Sequence, residues 1–89
     1  MTHVTQDQVR LFLIQRFRDK LTAGGIDLAA VPANFDLYAE GIIDSFGMLE
    51  MIMALEVRFG AKLDYMNMDP EDLTNIDRLA AHVASSVSS

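Results

Sequence analysis

Apolar residues recur at helical spacing in three stretches of the chain, and each stretch predicts an amphipathic helix. The first helix is expected to begin at Thr5, whose side chain forms a capping box with Gln8, and to end at Gly24-Gly25. The second is expected to run from about Asp44 to Gly60, and the last to begin near Thr74. The inward-facing residues of the first and last helices are Val9, Phe12, Leu13, Phe17, Leu21, Ile76, Leu79, Ala80 and Val83.

The segments between these helices show no sustained period. Residues 24–43 contain Pro32 and several glycines but also many apolar side chains, so we expect this long connection to lie across the core. Asp69-Pro70-Glu71-Asp72-Leu73 predicts a short third helix, with Asp69 as its cap and proline just inside its start. Residues 85–89 are serine-rich and predict a frayed tail. The fold class is therefore all-α: a small four-helix bundle in which about residues 5–84 are structured.

The second helix carries more apolar surface than a core requires. One arc of the helical wheel is expected to face the core and to pack against the other helices. A second arc contains Phe46, Leu49 and Met53, with Glu56 beside it, whereas Val57 and Arg58 fall on a small or polar side. This second arc packs under the long connection or is exposed to receive partner proteins, and the two are compatible if Phe46 is exposed while Leu49 is half covered. The expected core consists of Ile42, Met48, Ile52, Leu55 and Phe59 against Phe12, Phe17, Leu73, Ile76 and Leu79.

Length and composition limit the possible functions. The chain has 89 residues, enough for a single domain spanning 1–89, and contains no cysteine, which excludes disulfides and cysteine nucleophiles. No segment approaches the roughly 20 apolar residues of a membrane span, and the N-terminus shows no secretory signal, so a cytoplasmic protein is expected. The net charge is −6, and four of the seven basic residues precede residue 21. Because no basic stripe follows, nucleic-acid binding is not expected.

Asp44-Ser45 stands at the predicted start of the second helix. Asp44 can accept hydrogen bonds from the first helical turn, which places the Ser45 hydroxyl outside the core. An anionic group on that oxygen would meet unpaired N–H groups and the positive end of the helix dipole. Gly41 and Gly47 are expected to keep side chains away from the hydroxyl. The Asp-Ser pair by itself is typical of an ordinary helix cap.

A longer pattern around this pair resembles the acyl carrier protein superfamily. The resemblance covers about residues 5–84 and includes the helix count, the long first connection and the short third helix. It is carried by Glu40-Gly41-Ile42-Ile43-Asp44-Ser45-Phe46-Gly47, then Glu50, Met53-Ala54-Leu55-Glu56 and Phe59-Gly60. The resemblance implies that Ser45 is esterified with 4′-phosphopantetheine, taken from coenzyme A by a phosphopantetheinyl transferase. The terminal thiol of the arm would then hold an acyl or aminoacyl group as a thioester.

The resemblance also implies which residues meet other proteins. Asp44 and Gly41 would belong to the cofactor site, and Asp44 would help to position the metal of the transferase. The chain would be a monomeric carrier rather than an enzyme, with no catalytic residues and no metal site of its own. Its partners would be the transferase, an acyl- or aminoacyl-loading ligase (an adenylation enzyme), and downstream enzymes that transfer or modify the cargo. The residues expected to recognise them are Phe46, Leu49, Glu50, Met53 and Glu56.

Two departures from the fatty-acid carriers indicate a subtype. Phe46 follows the serine where those carriers usually have leucine, and Val57-Arg58 stands where acidic residues are common. The stretch Ala39–Gly47 looks more like D-alanyl and other aminoacyl or peptidyl carriers. A specialised carrier is therefore favoured over a housekeeping fatty-acid carrier, which stays open as an alternative.

The same residues argue against other functions. A hydrolase elbow needs glycine two residues before the serine, where Ile43 stands, and His3 and His82 lie near opposite ends of the chain. The cluster Asp64, Asp69, Glu71 and Asp72 does not match a calcium loop and is better explained by helix capping. A helical interaction module that uses the exposed apolar arc without any modification is the remaining alternative.

Overall fold

A computed structural model describes residues 4–88, which form a bundle of helices. The helices are α1 (Gln6–Arg16), α2 (Arg18–Ala23), α3 (Ser45–Phe59), α4 (Pro70–Thr74) and α5 (Ile76–Ser88). Two short 3₁₀ turns lie between them, at Leu28–Ala30 and Tyr65–Asn67. The all-α class, the long first connection and the short helix before the last one are therefore confirmed. His3 and Ser89 lie outside the described residues.

The predicted first helix is divided in two at Phe17. The capping box is confirmed, since Thr5 Oγ1 accepts from the Gln8 N–H at 3.2 Å and Gln8 Oε1 accepts from the Thr5 N–H at 2.9 Å. At Phe17 the backbone leaves helical geometry, with φ −106° and ψ 16°. Helical bonding resumes at once, because the Leu21 N–H donates to the Phe17 carbonyl at 2.9 Å. The break is therefore a bend, and the side chains of Phe17, at the bend, and Leu21, one turn after it, are both buried in the core.

One cluster of buried side chains joins all the helices. Its fully buried members from α3 are Met51, Ile52 and Leu55, while Met48 and Phe59 are half-buried against it. Phe12 and Phe59 meet edge to face with ring centroids 5.4 Å apart, a favourable geometry for aromatic rings. The predicted core is confirmed, with Met51 as a member that the sequence pattern did not assign.

The long connection lies across the core, as expected, and is fixed to the junction of α4 and α5. The Leu37 N–H donates to the Thr74 carbonyl at 2.9 Å, and the Ile76 N–H donates to the Phe35 carbonyl at 2.8 Å. These bonds frame an isolated antiparallel bridge between Asp36 and Asn75. Because backbone groups of the connection are paired in this way, its buried residues hold one position relative to the bundle.

The C-terminal prediction needs correction. Helix α5 begins at Ile76 instead of Thr74 and continues to Ser88, so residues 85–88 are helical and not a frayed tail. Ser86 gives this end an anchor, since its Oγ donates to the Lys62 carbonyl at 3.1 Å. A serine that bonds outside its own helix does not compete with the helical ladder, which explains why the serine-rich composition was misleading. None of the helices in residues 4–88 combines the length and hydrophobicity that a membrane crossing requires.

Candidate functional site

Ser45 is the first residue of α3, and its side chain is exposed. Its hydroxyl has no hydrogen-bond partner within residues 4–88, so it is free to react. Asp44 is the N-cap, and its Oδ1 accepts from the Gly47 N–H at 2.7 Å. The cap uses one first-turn donor and leaves the N–H groups of Ser45 and Phe46 without a carbonyl partner. The predicted geometry of Asp44 and Ser45 is thus what the structure shows.

The two glycines near Ser45 serve different purposes. Gly41 has φ +76°, a left-handed conformation that favours glycine, and a Cβ there would have no atom within 4 Å. The position needs glycine for the turn, and its expected role in keeping a side chain away from the hydroxyl stays a prediction. Gly47 is different, since a Cβ would lie 3.2 Å from Asp44 Oδ1 and would crowd the capping carboxylate.

The turn before α3 presents Asp44 and Ser45 at the surface. Asp36 Oδ1 accepts from the N–H groups of Tyr38 and Ala39, each at 3.0 Å, which folds the chain back on itself. The N–H groups of Ile42 and Ile43 then both donate to the Leu37 carbonyl, at 2.8 and 3.2 Å. With both isoleucine side chains buried, the next residues are directed outward. The connection thus positions the serine.

An open, largely apolar cleft of about 630 Å³ lies beside Ser45, and we call it the serine cleft. It is formed by α3, the long connection and the segment that leads into α4. The sequence pattern did not find it, because its walls come together only when these three segments pack. Its side chains include Tyr38, Met48, Leu49, Tyr65, Met66, Met68 and Leu73.

The second apolar arc of α3 is exposed. Phe46 is 60% exposed and Met53 63%, whereas Leu49 is 44% exposed and lines the serine cleft with Tyr38 and Ala39 of the long connection, so the arc is mainly exposed and Leu49 is half covered, as the combined interpretation predicts. Val57, expected on the small or polar side, is 87% exposed and follows Met53 by one helical turn. We call Phe46, Leu49, Met53 and Val57 the α3 stripe. Exposed large apolar residues in a row are typical of a protein-interaction surface.

The two acidic residues expected to recognise partners are placed differently. Glu50 is exposed close to the α3 stripe. Glu56 is half-buried, and its Oε2 accepts from the Leu63 N–H at 3.2 Å. This bond ties the end of α3 to the following segment, which gives Glu56 a structural role. Its recognition of partners stays a prediction.

Two members of the acidic cluster near α4, Glu71 and Asp72, contact basic side chains. Arg78 contacts Glu71 and Asp72, each at 3.3 Å, and His82 Nε2 lies 3.4 Å from Asp72. Asp69 occupies the N-cap position of α4 but makes no side-chain capping bond, so that part of the capping prediction is wrong. Within residues 4–88 no group of histidine and acidic side chains is arranged to bind a metal ion.

Comparison with known proteins agrees with this architecture. No protein-family model and no solved structure matches the chain. It is similar to the D-alanyl carrier proteins of Lactococcus lactis subsp. lactis (strain IL1403) and of subsp. cremoris (strains MG1363 and SK11). In each case 36% of 62 residues are identical, covering 70% of this chain and 78% of the relative.

The fold, the exposed serine and these relatives define a carrier protein of the acyl-carrier type, not an enzyme. The chain belongs to the carrier-protein family that includes the D-alanyl carrier proteins.

Removing the cap at Asp44 should loosen the start of α3. Asp44→Ala is expected to lower the free energy of unfolding by about 1 kcal/mol, because the Gly47 N–H loses its acceptor. Asp44→Asn keeps a side-chain oxygen and should stay within about 0.5 kcal/mol of the wild type. Urea titration followed by circular dichroism measures both variants. Equal losses for Ala and Asn would show that the charge, and not the capping bond, stabilises this end.

Proposed function

We propose that this chain carries an aminoacyl group, D-alanine in the first instance, on a 4′-phosphopantetheine arm esterified to Ser45. The observation that carries the proposal is the exposed, unpaired hydroxyl of Ser45 at the start of α3. It occurs in a chain that is 36% identical over 62 residues to proteins named D-alanyl carriers. A fatty-acyl cargo is the second candidate, favoured only by the apolar serine cleft.

The residues around Ser45 fit such an arm. Its phosphate would be an anion at a helix N-terminus, where the N–H groups of Ser45 and Phe46 have no carbonyl partner. The Asp44 carboxylate is already turned toward the Gly47 N–H, which reduces its repulsion of a phosphate. The serine cleft begins at Ser45 and offers apolar side chains along which an arm could lie. Once attached, the arm supplies a thiol for a thioester, a group that a chain with no cysteine lacks.

Attachment requires Ser45 to act as a nucleophile toward coenzyme A. The Ser45 oxygen would form a bond to phosphorus as the pyrophosphate bond of coenzyme A breaks. The nucleotide portion would leave, and the hydroxyl proton would pass to a base of the transferase or to solvent. The chain contributes position and access, while the transferase contributes the catalytic groups. If Asp44 helps to position the metal of the transferase, Asp44→Asn should slow attachment without loss of stability.

The α3 stripe would be the docking surface for the enzymes that use the carrier. It begins at Phe46, directly after the proposed attachment residue, and its members are exposed along the helix. An enzyme that binds it would hold Ser45 near its own active site. The transferase, the loading ligase and the downstream enzymes would all need this proximity, and we propose that each uses part of the stripe.

Mass spectrometry of the protein purified from its natural host tests the proposal. We expect a gain of one phosphopantetheine group, located by fragmentation on the peptide that contains Ser45, and a further gain equal to an alanyl group. A fatty-acyl gain would instead identify a fatty-acid carrier. A chain that carries no arm, even after incubation with coenzyme A and a phosphopantetheinyl transferase, would be an unmodified interaction module. A hydrolysate analysed on a chiral column distinguishes D- from L-alanine.

A further inference from the structure

A second groove borders the α3 stripe, and arginines from two helices contribute to it. It is shallow and open, with a volume of about 450 Å³, and it is lined by Arg16, Glu50, Met53, Ala54, Val57 and Arg58. We call it the arginine groove. It shares Met53 and Val57 with the α3 stripe but none of its lining with the serine cleft. A partner on the Met53 and Val57 part of the stripe could therefore engage the groove without covering the cleft.

The two arginines of the groove have no carboxylate partner. Within residues 4–88, ion pairs to a carboxylate are made by Arg10, Arg18 and Arg78 but not by Arg16 or Arg58. This is unexpected in a chain with 13 acidic residues and a net charge of −6. The guanidinium of Arg58 lies 5.2 Å from the centroid of the Phe59 ring, and that of Arg16 lies 5.9 Å from the Phe17 ring. Such contacts orient the groups and leave their N–H donors open.

The local charge of the groove is opposite to that of the whole protein. Glu50 is the one carboxylate among its lining residues, against two arginines. The groove adjoins a cleft that Arg16 and Glu50 also line, where Lys20 is accompanied by Asp19 and Asp44, so the excess of positive charge is confined to the groove. At physiological ionic strength, charges more than about 8 Å away are largely screened. The unpaired arginines, not the net charge, therefore determine which charge a docked partner needs.

We propose that the arginine groove binds an acidic patch of a partner enzyme. An apolar side chain of the partner would sit on Met53, Ala54 and Val57. Carboxylates beside it would pair with Arg16 and Arg58, since a guanidinium binds a carboxylate through two parallel hydrogen bonds. The proposal rests on the proposed function in so far as the partner is an enzyme that handles the carrier. In this contact the carrier is the basic side and the partner is the acidic side, whereas the overall acidity of the chain would suggest the reverse.

Two synthetic helical peptides test the charge preference directly. Both have the same leucine and phenylalanine face, and their flanking residues are glutamate in one and lysine in the other. Binding to the full-length unmodified chain is followed by NMR of the methionine methyl groups. Met53 lies in the groove, whereas Met51 is fully buried and does not line it, so Met51 is an internal reference. We expect the acidic peptide to shift the Met53 signal, leave Met51 unchanged, and bind about five- to tenfold more tightly than the basic peptide.

Charge-reversal variants complete the test. The double variant Arg16→Glu/Arg58→Glu is expected to reverse the preference, and Arg16→Gln/Arg58→Gln to remove it, with the fold checked by circular dichroism. Arg18→Glu is the matched control, because Arg18 follows the bend at Phe17 and does not line the groove. Tighter binding of the basic peptide, an unmoved Met53 signal, or an equal effect of Arg18→Glu would overturn the proposal. So would a Met53 shift that depends on protein concentration alone, which would identify a second copy of the chain as the occupant.

The peptide test does not depend on the arm at Ser45. Ser45→Ala should bind the acidic peptide as well as the wild type does, because Ser45 is not part of the groove. If the chain proved never to carry an arm, the charge preference of the groove would still be measured. If the preference failed, attachment at Ser45 would be unaffected.

Discussion

The Ser45→Ala variant is expected to gain no phosphopantetheine when it is incubated with coenzyme A and a phosphopantetheinyl transferase, whereas the wild type is converted completely. The oxygen that would bond to phosphorus is absent from the variant, so the loss should be total instead of partial. Stability should change by no more than about 0.5 kcal/mol, because the hydroxyl is exposed and unpaired and alanine is tolerated in a first helical turn. Intact mass measures attachment, and thermal denaturation measures stability.

A serine elsewhere on the surface supplies the control. Ser85 is exposed on α5, far along the chain from the proposed site, so Ser85→Ala should be modified like the wild type. A Ser45→Ala protein that still gained the full mass would move the attachment site to another residue. A Ser45→Ala protein that unfolded would show that the hydroxyl has a structural role that its exposure does not suggest.

The second large expected effect is on the free energy of unfolding, and it distinguishes the buried face of α3 from its exposed face. Leu55→Ala is expected to lower the free energy of unfolding by about 2–5 kcal/mol, because Leu55 is fully buried and its removal leaves a cavity. That is a large part of the roughly 5–15 kcal/mol that stabilises a typical domain. Met53→Ala, two positions away on the same helix, should cost no more than about 0.5 kcal/mol because its side chain is mostly exposed. Urea denaturation measures both.

The pair of variants also tests the assignment of the α3 stripe. If Met53→Ala lost as much stability as Leu55→Ala, the stripe would be part of the core and could not serve as a docking surface. If neither variant lost stability, the buried cluster would not depend on α3. The expected difference follows from area removed from water on folding, which is large for Leu55 and small for Met53.

The two sides of α3 offer different chemistry to a partner. On one side the serine cleft is largely apolar and begins at the proposed attachment residue. On the other, the arginine groove combines apolar contact with two unpaired guanidinium groups. The α3 stripe overlaps both, since Leu49 lines the cleft while Met53 and Val57 line the groove. An enzyme docked on Met53 and Val57 would contact the charged groove and leave the cleft open to the arm and its cargo.

The local signals in the sequence predicted the main helices and placed the candidate attachment residue at a helix start. Two caps depend only on residues within one helical turn of each other: the capping box of Thr5 and Gln8 and the cap at Asp44. Such local hydrogen bonds can be predicted from the sequence without knowledge of the tertiary structure. The apolar period of α3 gave its core face for the same reason. Ser45 was placed on the surface correctly because a residue just after an N-cap has few ways to turn inward.

Other features of the protein depend on contacts between residues that are distant in sequence, and these only the tertiary structure shows. The bend at Phe17 has no glycine or proline to signal it, and Ser86 holds the C-terminal turn only because Lys62 lies beside it. The serine cleft and the arginine groove exist only where segments meet, as when Arg16 of α1 approaches Arg58 of α3. Sequence by itself therefore determined most of the helical segments, the caps at Thr5 and Asp44 and the position of the candidate serine, since these follow from contacts within a turn. The surfaces around that serine follow from packing between helices, which periodicity does not encode.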